Sequence, residues 1–451
     1  MISENTNTYY PHGDAPLAPA SSNTSIASKA SIASKALIIT YYWPPSGGAG
    51  VQRWLKFAKY LPEYGWEPVI LTVDPAYAAY PATDSSLEKE IPGSLRVFRT
   101  AATDWFRIYS ADKSKVPSAG FSKGTGNSFK SKLSRFIRGN FFIPDPRRGW
   151  NRHAYTKACE IIEKEKIVTF VTTSPPHSTQ LIGLKLKKKF PELKWIADLR
   201  DPWTDIYYYD QFFPTIFSKK IDKRYEQSVL EKSDRIITVG NMLLDLFEKK
   251  VPGLRSKSTV ISNGFDEHDF NELLSKIPEV FTITYVGTIS EKYPVDGLIS
   301  ALHNLTGKGI QFRLRFTGTI PENIKQKISA AVNVDFIEFI QYAPHNEAVS
   351  YMADSSILVL IIPDAGDNRL IITGKLFEYA ATRKPILCIG PVDGEAAKII
   401  SELHAGECFT YSDSAGIENF ISGHFNKPEM THSDPSKYSR RMLTEKLASV
   451  L

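Results

Sequence analysis

Two successive series of short apolar runs, each alternating with longer stretches of helical periodicity, leave this chain very few architectures. Aliphatic runs of roughly four to eight residues, separated by helix-length patterns, mark βαβ units in which parallel strands share a sheet and helices cover its faces. The first series places strands at Leu37–Thr40, Pro68–Val73, Leu95–Arg99, Val168–Thr172, Trp195–Asp198, Arg235–Val239 and Thr259–Ile261. Helices fit Val51–Tyr64, Arg152–Lys164, Ser178–Lys189, Ser218–Lys232 and Asn241–Lys249. The series stops at ISNGFDEHDF and a polar stretch up to Pro278. The second series has strands at Phe281–Gly287, Arg313–Thr317, Val334–Phe339, Ile357–Ile362, Pro385–Cys388 and Cys408–Thr410, with helices at Val295–Leu305, Glu322–Ala331, His345–Met352, Gly374–Ala381 and Gly394–Glu402. The expected fold class is therefore α/β, with two Rossmann-like domains facing each other across a cleft. Their expected spans are residues 36–275 and 276–425, with residues 426–451 a C-terminal helix that packs back on the first domain. The length agrees, since 451 residues exceed what one hydrophobic core serves.

The first 35 residues are a different material. Asn, Ser, Ala, Pro and Gly dominate, SIASKA occurs twice in tandem, and large apolar groups are too few for a core, so a disordered tail is expected. No run approaches the ~18 to 20 apolar residues of a membrane span, and the N-terminus lacks a basic-then-apolar signal pattern, so a cytoplasmic location is expected. Cys159, Cys388 and Cys408 are far apart and not at metal-ligand spacing, which suggests reduced, buried thiols and neither a disulfide framework nor a zinc site.

In open parallel sheets ligands gather at the carboxyl ends of the strands, so the loops there carry the candidate chemistry. The first, PPSGGAG, follows the first strand and contains Gly47, Gly48 and Gly50. It fails the dinucleotide fingerprint G-x-G-x-x-G, because Arg53 stands where the third glycine belongs, although Asp74 ends the next strand where a ribose-binding acid would stand. Glycines let a ligand approach the backbone, and the helix that starts near Val51 favours an anion; a packing turn is the plainer reading. The second, TTSPPHSTQL, places His177 after a strand and a stiff Pro-Pro pair, where an imidazole can donate to a hydroxyl or stabilise developing charge. The third, WIADLRDPWTD, crowds Asp198, Arg200 and Asp201 at a strand end, with Asp198 and Arg200 expected to satisfy each other as an ion pair. Asp201 and Trp203 are the better candidates for the cleft, since an indole face suits a sugar ring. In the second domain, NRLIITGKLFEYAATRKPILCIG lets Thr373 and Gly374 cap a helix whose first turn carries Lys375. Exposed amides plus an ammonium make a diphosphate site, and Glu378, one turn on, can bind paired ribose hydroxyls. An ordinary capped helix with a surface Lys-Glu pair is the alternative.

The ordered combination PPSGGAGVQR, TTSPPHS, DLRDPW, SNGFD, YVGTIS and TGKLFEYAATRKPIL resembles the family-4 glycosyltransferases of GT-B fold, closest to the bacterial branch that builds cell-surface polysaccharides. The likeness covers about residues 36–450. It implies a retaining transfer of sugar from a UDP- or GDP-type nucleotide sugar to a glycan or lipid-linked acceptor, with no metal and no tightly bound cofactor. The lack of any Asp-x-Asp motif agrees. Carried over by position, the resemblance puts Gly47 and Gly48 beside the donor phosphates and acceptor, and His177 near the transferred sugar with Asp201 as a second catalytic candidate. Gly287, Thr288, Thr373, Gly374, Lys375, Leu376 and Glu378 would hold the nucleotide, and Trp203, Asp145 and Trp150 would line the acceptor side. Glu378 matches the second glutamate of the family's E-x7-E motif. Leu370 stands in the place of the first, with Asp367 as a candidate substitute, and Arg53 or Arg369 is expected to supply positive charge that relatives carry after the first strand of this domain.

Charge adds a partner. Between Lys113 and Pro144 there is no acid, and Lys113, Lys115, Lys123, Lys130, Lys132, Arg135 and Arg138 exceed the formal +6 of the whole chain. Phe121, Phe129, Phe136, Phe141 and Phe142 interleave with them, a composition suited to an anionic membrane surface, with a solvated loop as the alternative; no recognised module supports nucleic acid. Two other readings stay open: a sugar-nucleotide epimerase of the same architecture, and a non-catalytic nucleotide-sugar or glycan binder made credible by Leu370.

Overall fold

A computed structural model describes residues 34–103, 105, 129–270, 278–332, 336–341 and 343–451. The first sheet has seven parallel strands, β1 (Ser34–Ile39), β2 (Trp66–Val73), β3 (Arg96–Thr100), β4 (Thr169–Ser174), β5 (Lys194–Leu199), β6 (Arg235–Thr238) and β7 (Ser258–Val260), in spatial order β3-β2-β1-β4-β5-β6-β7. The second has six, β8 (Thr282–Val286), β9 (Arg313–Thr317), β10 (Ile337–Ile340), β11 (Ile357–Ile361), β12 (Ile386–Ile389) and β13 (Gly406–Phe409), in order β10-β9-β8-β11-β12-β13. Each order reverses next to its first strand, between β1 and β4 and between β8 and β11. In doubly wound sheets that reversal opens a crevice at the carboxyl edge. All thirteen strands expected from the sequence are present, their ends shifted by at most three residues. The expected tail, residues 1–35, lies outside the described residues except for Ser34 and Lys35, which open β1.

Helices α1 (Ala49–Tyr60), α2 (Phe129–Phe141), α3 (Asn151–Glu165), α4 (Gln180–Lys189), α5 (Ile216–Lys232) and α6 (Asn241–Lys250) belong to the first sheet. With the second go α7 (Asp296–Gly307), α8 (Glu322–Ala331), α9 (His345–Ala353), α10 (Lys375–Ala381), α11 (Glu395–Glu402) and α12 (Ser414–Asn426). The helix expected over Val51–Tyr64 ends at Tyr60 and tightens into a 3-10 turn over Leu61–Tyr64, because Pro62 has no N–H to continue the ladder. Helices α2 and α12 escaped the reading of the sequence. Each carries apolar residues at helical spacing but is interrupted by glycine, Gly139 in the one and Gly416 and Gly423 in the other. The last helix, α13 (Arg440–Ala448), lies on α1 of the first domain, where Leu443, Leu447, Val450 and Leu451 join Ala36, Trp54 and Leu55 in one buried cluster. Trp66 Nε1 donates to the Ala448 carbonyl at 3.2 Å, fixing the return.

Beneath the glycine loop lies a buried charge pair that decides how the first domain's loops are held. Arg53 and Asp198 have no exposed side-chain surface, and Arg53 Nη2 meets Asp198 Oδ1 at 3.1 Å. The same carboxylate accepts from Trp54 Nε1 at 2.8 Å and Thr173 Oγ1 at 2.7 Å. Arg53 also donates to the carbonyls of Ser262 at 2.8 Å and Ile261 at 2.9 Å, just beyond β7. Two expectations are corrected. Asp198 pairs with Arg53 and not with Arg200, and Arg53 is committed inside the protein, where it supplies no charge to a ligand. Removing one member strands the other in a dry site, so Arg53→Met is expected to cost about 3 to 5 kcal/mol of stability. An unfolding midpoint in urea equal to that of the wild type would contradict this role.

Candidate functional site in the interdomain cleft

Most of the sequence candidates fall on the loops that follow β1, β4, β8 and β11, the strands flanking the two reversals, while Asp201 and Trp203 follow β5 and Asp145 and Trp150 lie between α2 and α3. Elements of both domains meet there. Gly366, in the loop after β11, sits against Tyr207, where an added Cβ would come within 2.6 Å of the tyrosine Cβ. Lys292, beyond β8, places its ammonium 4.6 Å from the Tyr207 ring centre. Glu395 at the start of α11 accepts from the Met242 amide at 2.5 Å, and His345 Nε2 lies 3.1 Å from Asp269 Oδ2.

On the first domain, Gly48 is exposed with φ of 97° and is the N-cap of α1, offering no side-chain cap, while the Val51 amide turns back to the Gly48 carbonyl at 3.1 Å. Gly47 donates to the Ala82 carbonyl at 2.9 Å. The loop is clamped from beneath by Arg200, which donates through Nη1 to the Gly50 carbonyl and through Nε to the Ser174 carbonyl, both at 2.8 Å. One guanidinium thus joins the glycine loop to the Pro-Pro-His loop. His177 stacks on Trp203, ring centres 4.9 Å apart and planes 13° from parallel. Burial, then the charges of Lys250 and Arg200, hold the imidazole far below its ordinary range, at about 3. Its Nδ1 is buried without a hydrogen-bond partner. Beside it, burial raises the Asp201 carboxyl against the opposing pull of Arg200.

The three acceptor-side candidates differ in their surroundings. Trp203 is 2% exposed, gives Nε1 to Asp222 at 2.7 Å and offers its face to His177, so that face is not open to a sugar. Trp150 is 1% exposed and donates to Thr100 Oγ1, which makes it core. Asp145 caps the turn Pro146–Trp150 and accepts from the Ser178 amide and hydroxyl, both at 2.8 Å, so it orients the loop of His177. A pocket opens over this group, walled by Tyr42, Arg138, Pro176, His177, Tyr208 and Phe212, and Asp145 and Trp203 belong to its lining. A wider cleft of about 740 Å³ between α6, α11 and α13 contains none of the candidate residues.

On the second domain, Lys375 crosses over Gly287. The glycine has φ of 130°, and a Cβ there would come within 2.2 Å of Lys375 Nζ. Any other residue would evict the ammonium. Lys375 Nζ bonds the Tyr285 hydroxyl at 3.1 Å, and burial lowers its pKa to about 8 although Glu378 pulls the other way. Glu378 is raised by burial, with His345, Arg440 and Lys375 opposing. Thr288 is exposed at the rim. Leu376 is fully buried and packs the core, which corrects its assignment to a ligand. Thr373 does not cap α10 through its side chain, and its Oγ1 is buried without a partner. Helix α10 has seven residues, so its dipole contributes little, and what charge it presents comes from Lys375 and Glu378. Arg369 is engaged by Asp367 at 2.8 Å and by Asp393 at 3.7 Å, and Leu370 is half-buried between them in sequence.

The sequence reading missed Arg440. It opens α13 and is 4% exposed, with Nη1 buried and unpartnered. Burial and the neighbouring Arg53 lower it to about 9, while Glu378 and Asp266 oppose; Arg200 adds to the lowering. It therefore sets positive charge from the C-terminal helix near Arg53, Arg200 and Asp266 of the first domain and Glu378 of the second. No motif announces it, since it lies in an ordinary amphipathic helix far from every cleft loop in sequence. Among the described residues no group of three or more His, Cys, Asp or Glu side chains could hold a metal ion.

No protein-family model matches the chain, and no curated protein does. Solved structures do. A sucrose-phosphate synthase from Thermosynechococcus elongatus is 14% identical with a TM-score of 0.55 over 93% of this chain and 94% of that one. A glycosyltransferase from Rickettsia africae ESF-5 is 15% identical with a TM-score of 0.54, over 92% and 93%. A Listeria monocytogenes protein described as a UDP-N-acetylglucosamine 2-epimerase is 8% identical with a TM-score of 0.52, over 92% and 94%. The shared feature is the fold, two Rossmann-like domains in the GT-B arrangement.

An imidazole held near 3 is neutral at every physiological pH. Between that value and the ordinary 6.5 the unfolded chain binds a proton that the folded one refuses, so this residue's contribution to stability falls as pH drops through that window. The His177 ring resonances, assigned with His177→Asn, are expected to stay flat from about pH 8 to 4.5. A midpoint near 6.5 would contradict the described environment.

Proposed function

We propose that this protein transfers a sugar, with retention, from a UDP- or GDP-type nucleotide sugar to a glycan or lipid-linked acceptor in the assembly of a surface polysaccharide. The observation that carries the reading is that Arg440 acts electrostatically on Arg200, which clamps the glycine loop at the start of α1, and on Glu378, one turn from Lys375, so cations of both domains converge on the cleft. Cations in a half-buried cleft fit a diphosphate leaving group, whose developing charge they would stabilise without a metal. Glu378 is the acid on the donor side, one turn from Lys375, and would accept from the ribose hydroxyls. The sugar then points across the cleft to His177. The bond from the anomeric carbon to the phosphate oxygen breaks, the acceptor oxygen bonds on the same face, and the acceptor proton leaves with the diphosphate. A neutral His177 would hydrogen-bond the sugar or acceptor hydroxyl and would not act as a cationic acid. The transferase neighbours favour this class, and the ordered motifs favour its polysaccharide branch.

The epimerase of the same fold keeps a second reading alive. It would release or isomerise the donor with no acceptor, whereas a transferase needs one and a pure binder turns nothing over. A thermal-shift panel of nucleotide sugars followed by turnover with and without glycan acceptor separates the three. Glu378→Ala is expected to weaken donor binding at least tenfold, about 1.4 kcal/mol, with the melting temperature within a few degrees of wild type. Because Lys375 loses its proton near 8, diphosphate affinity should be full below that pH and decline above it, and Lys375→Met should abolish the decline. Donor affinity unchanged in Glu378→Ala, or flat with pH in the wild type, would sink the assignment of α10.

A further inference from the structure

We propose that α2 and the first two turns of α5 together form a docking surface for an anionic lipid bilayer. Helix α2 has thirteen residues, none of them buried. A helix on a water-soluble protein ordinarily lays its apolar stripe on a core. Here Phe129, Leu133 and Phe136 recur at helical spacing and stand exposed, Phe129 by 80%, with Phe141 exposed at the helix end. Helix α5 continues the patch with Ile216 at 82% and Phe217 at 80%, joined by exposed Phe213 and Ile221.

The two helices form one body. The Arg138 guanidinium lies 3.9 Å from the Phe212 ring centre and that of Arg135 5.2 Å from Phe213. Asn140 gives its amide to the Phe213 carbonyl at 3.0 Å and accepts from the Thr215 amide at 2.7 Å and the Ser218 hydroxyl at 2.8 Å.

Charge selects the occupant. Helix α2 carries Lys130, Lys132, Arg135 and Arg138 and no acid. On α5, Lys220, Lys223 and Arg224 face outward. The acids of its first three turns turn inward: Asp222 is held by Trp203 and Tyr209, Glu226 by Thr204 and Lys250. The nearby exposed acid Asp210 is paired with Lys219 at 2.7 Å. A second copy on this face would oppose like charges, and nucleic acid gains little from exposed Ile and Phe. Cations interleaved with aromatic and aliphatic side chains match anionic headgroups over an acyl layer. The sequence reading placed membrane contact at residues 113–144; within it only α2 and the residues that follow are described, and the α5 half comes from the fold. Among the described residues no helix is long and apolar enough to cross a membrane, so this surface would lie on the bilayer. Arg138 and Phe212 also wall the His177 pocket, so docking would bring that pocket to the lipid; its use for a lipid-linked acceptor rests on the transfer reading, and the docking itself does not.

The test is co-sedimentation of the full chain with vesicles of phosphatidylcholine, alone or with about 30 mol% phosphatidylglycerol, at roughly 50 and 500 mM salt. Binding is expected only with phosphatidylglycerol and only at low salt. Ile216→Ser/Phe217→Ser and Lys130→Glu/Lys132→Glu should each weaken it at least tenfold. These side chains are exposed and belong to helices of the first domain, whereas α10 belongs to the second, so melting temperature and nucleotide-sugar binding should be unchanged, which keeps a failure here distinct from a failure of the transfer reading. Wild type that ignores anionic vesicles, binds both lipids alike, or loses nothing in either variant would overturn the proposal. So would a concentration-dependent dimer that the Ile216/Phe217 variant abolishes while vesicle binding persists.

Discussion

A single buried carboxylate organises the first half of this molecule. Asp198, next to the end of β5, accepts from Arg53 and Trp54 of α1 and from Thr173 of β4, so the helix after the glycine loop, the strand before His177 and its own strand share one anchor. Its partner Arg53 reaches the carbonyls beyond β7. A desolvated charge tolerates few geometries, because every lone pair lost to water needs a replacement. The loops above it inherit that definition without contributing to it.

One layer higher, the residues are less completely satisfied. Arg200 spends two donors on the carbonyls of Gly50 and Ser174, while Arg440 keeps a buried Nη1 with no partner. Lys375 is held over Gly287 by Tyr285 and shifted toward neutrality by burial. Positive charge that is buried and incompletely paired costs stability in the empty protein and is recovered when an anion arrives. The contrast between the closed Asp198 network and the open cations above it separates scaffold from candidate site.

The parallel-sheet architecture was legible because its signal is local: β-branched runs and helical spacing survive in any one stretch. The loops that matter were legible because they follow strands. Partnerships across the chain were not. Arg53 and Arg200 sit in motifs of similar look, and only the packing of α1 on β5 decides that one is buried with Asp198 and the other clamps the glycine loop. Leu376 and Glu378 share a motif, yet the turn of a helix sends the first into the core and leaves the second half-buried in the cleft. Trp203 reads as a sugar platform until His177 is found covering it. Arg440 could not be found at all, because its position depends on the C-terminal helix returning to α1. The exposed half of α5 was hidden for a related reason, since Asp222 and Glu226 look like surface acids until the fold turns them inward.

The central claim is that one ligand bridges both sheet reversals. Hydrogen–deuterium exchange of the full chain, with and without saturating nucleotide sugar, tests it directly. The account predicts slowed exchange in residues 47–53, at the start of α1, together with residues 374–380 of the second domain and the start of α13 near Arg440, with the edge strands β3 and β10 unchanged. Protection confined to one domain, or absent from the start of α13, would contradict it.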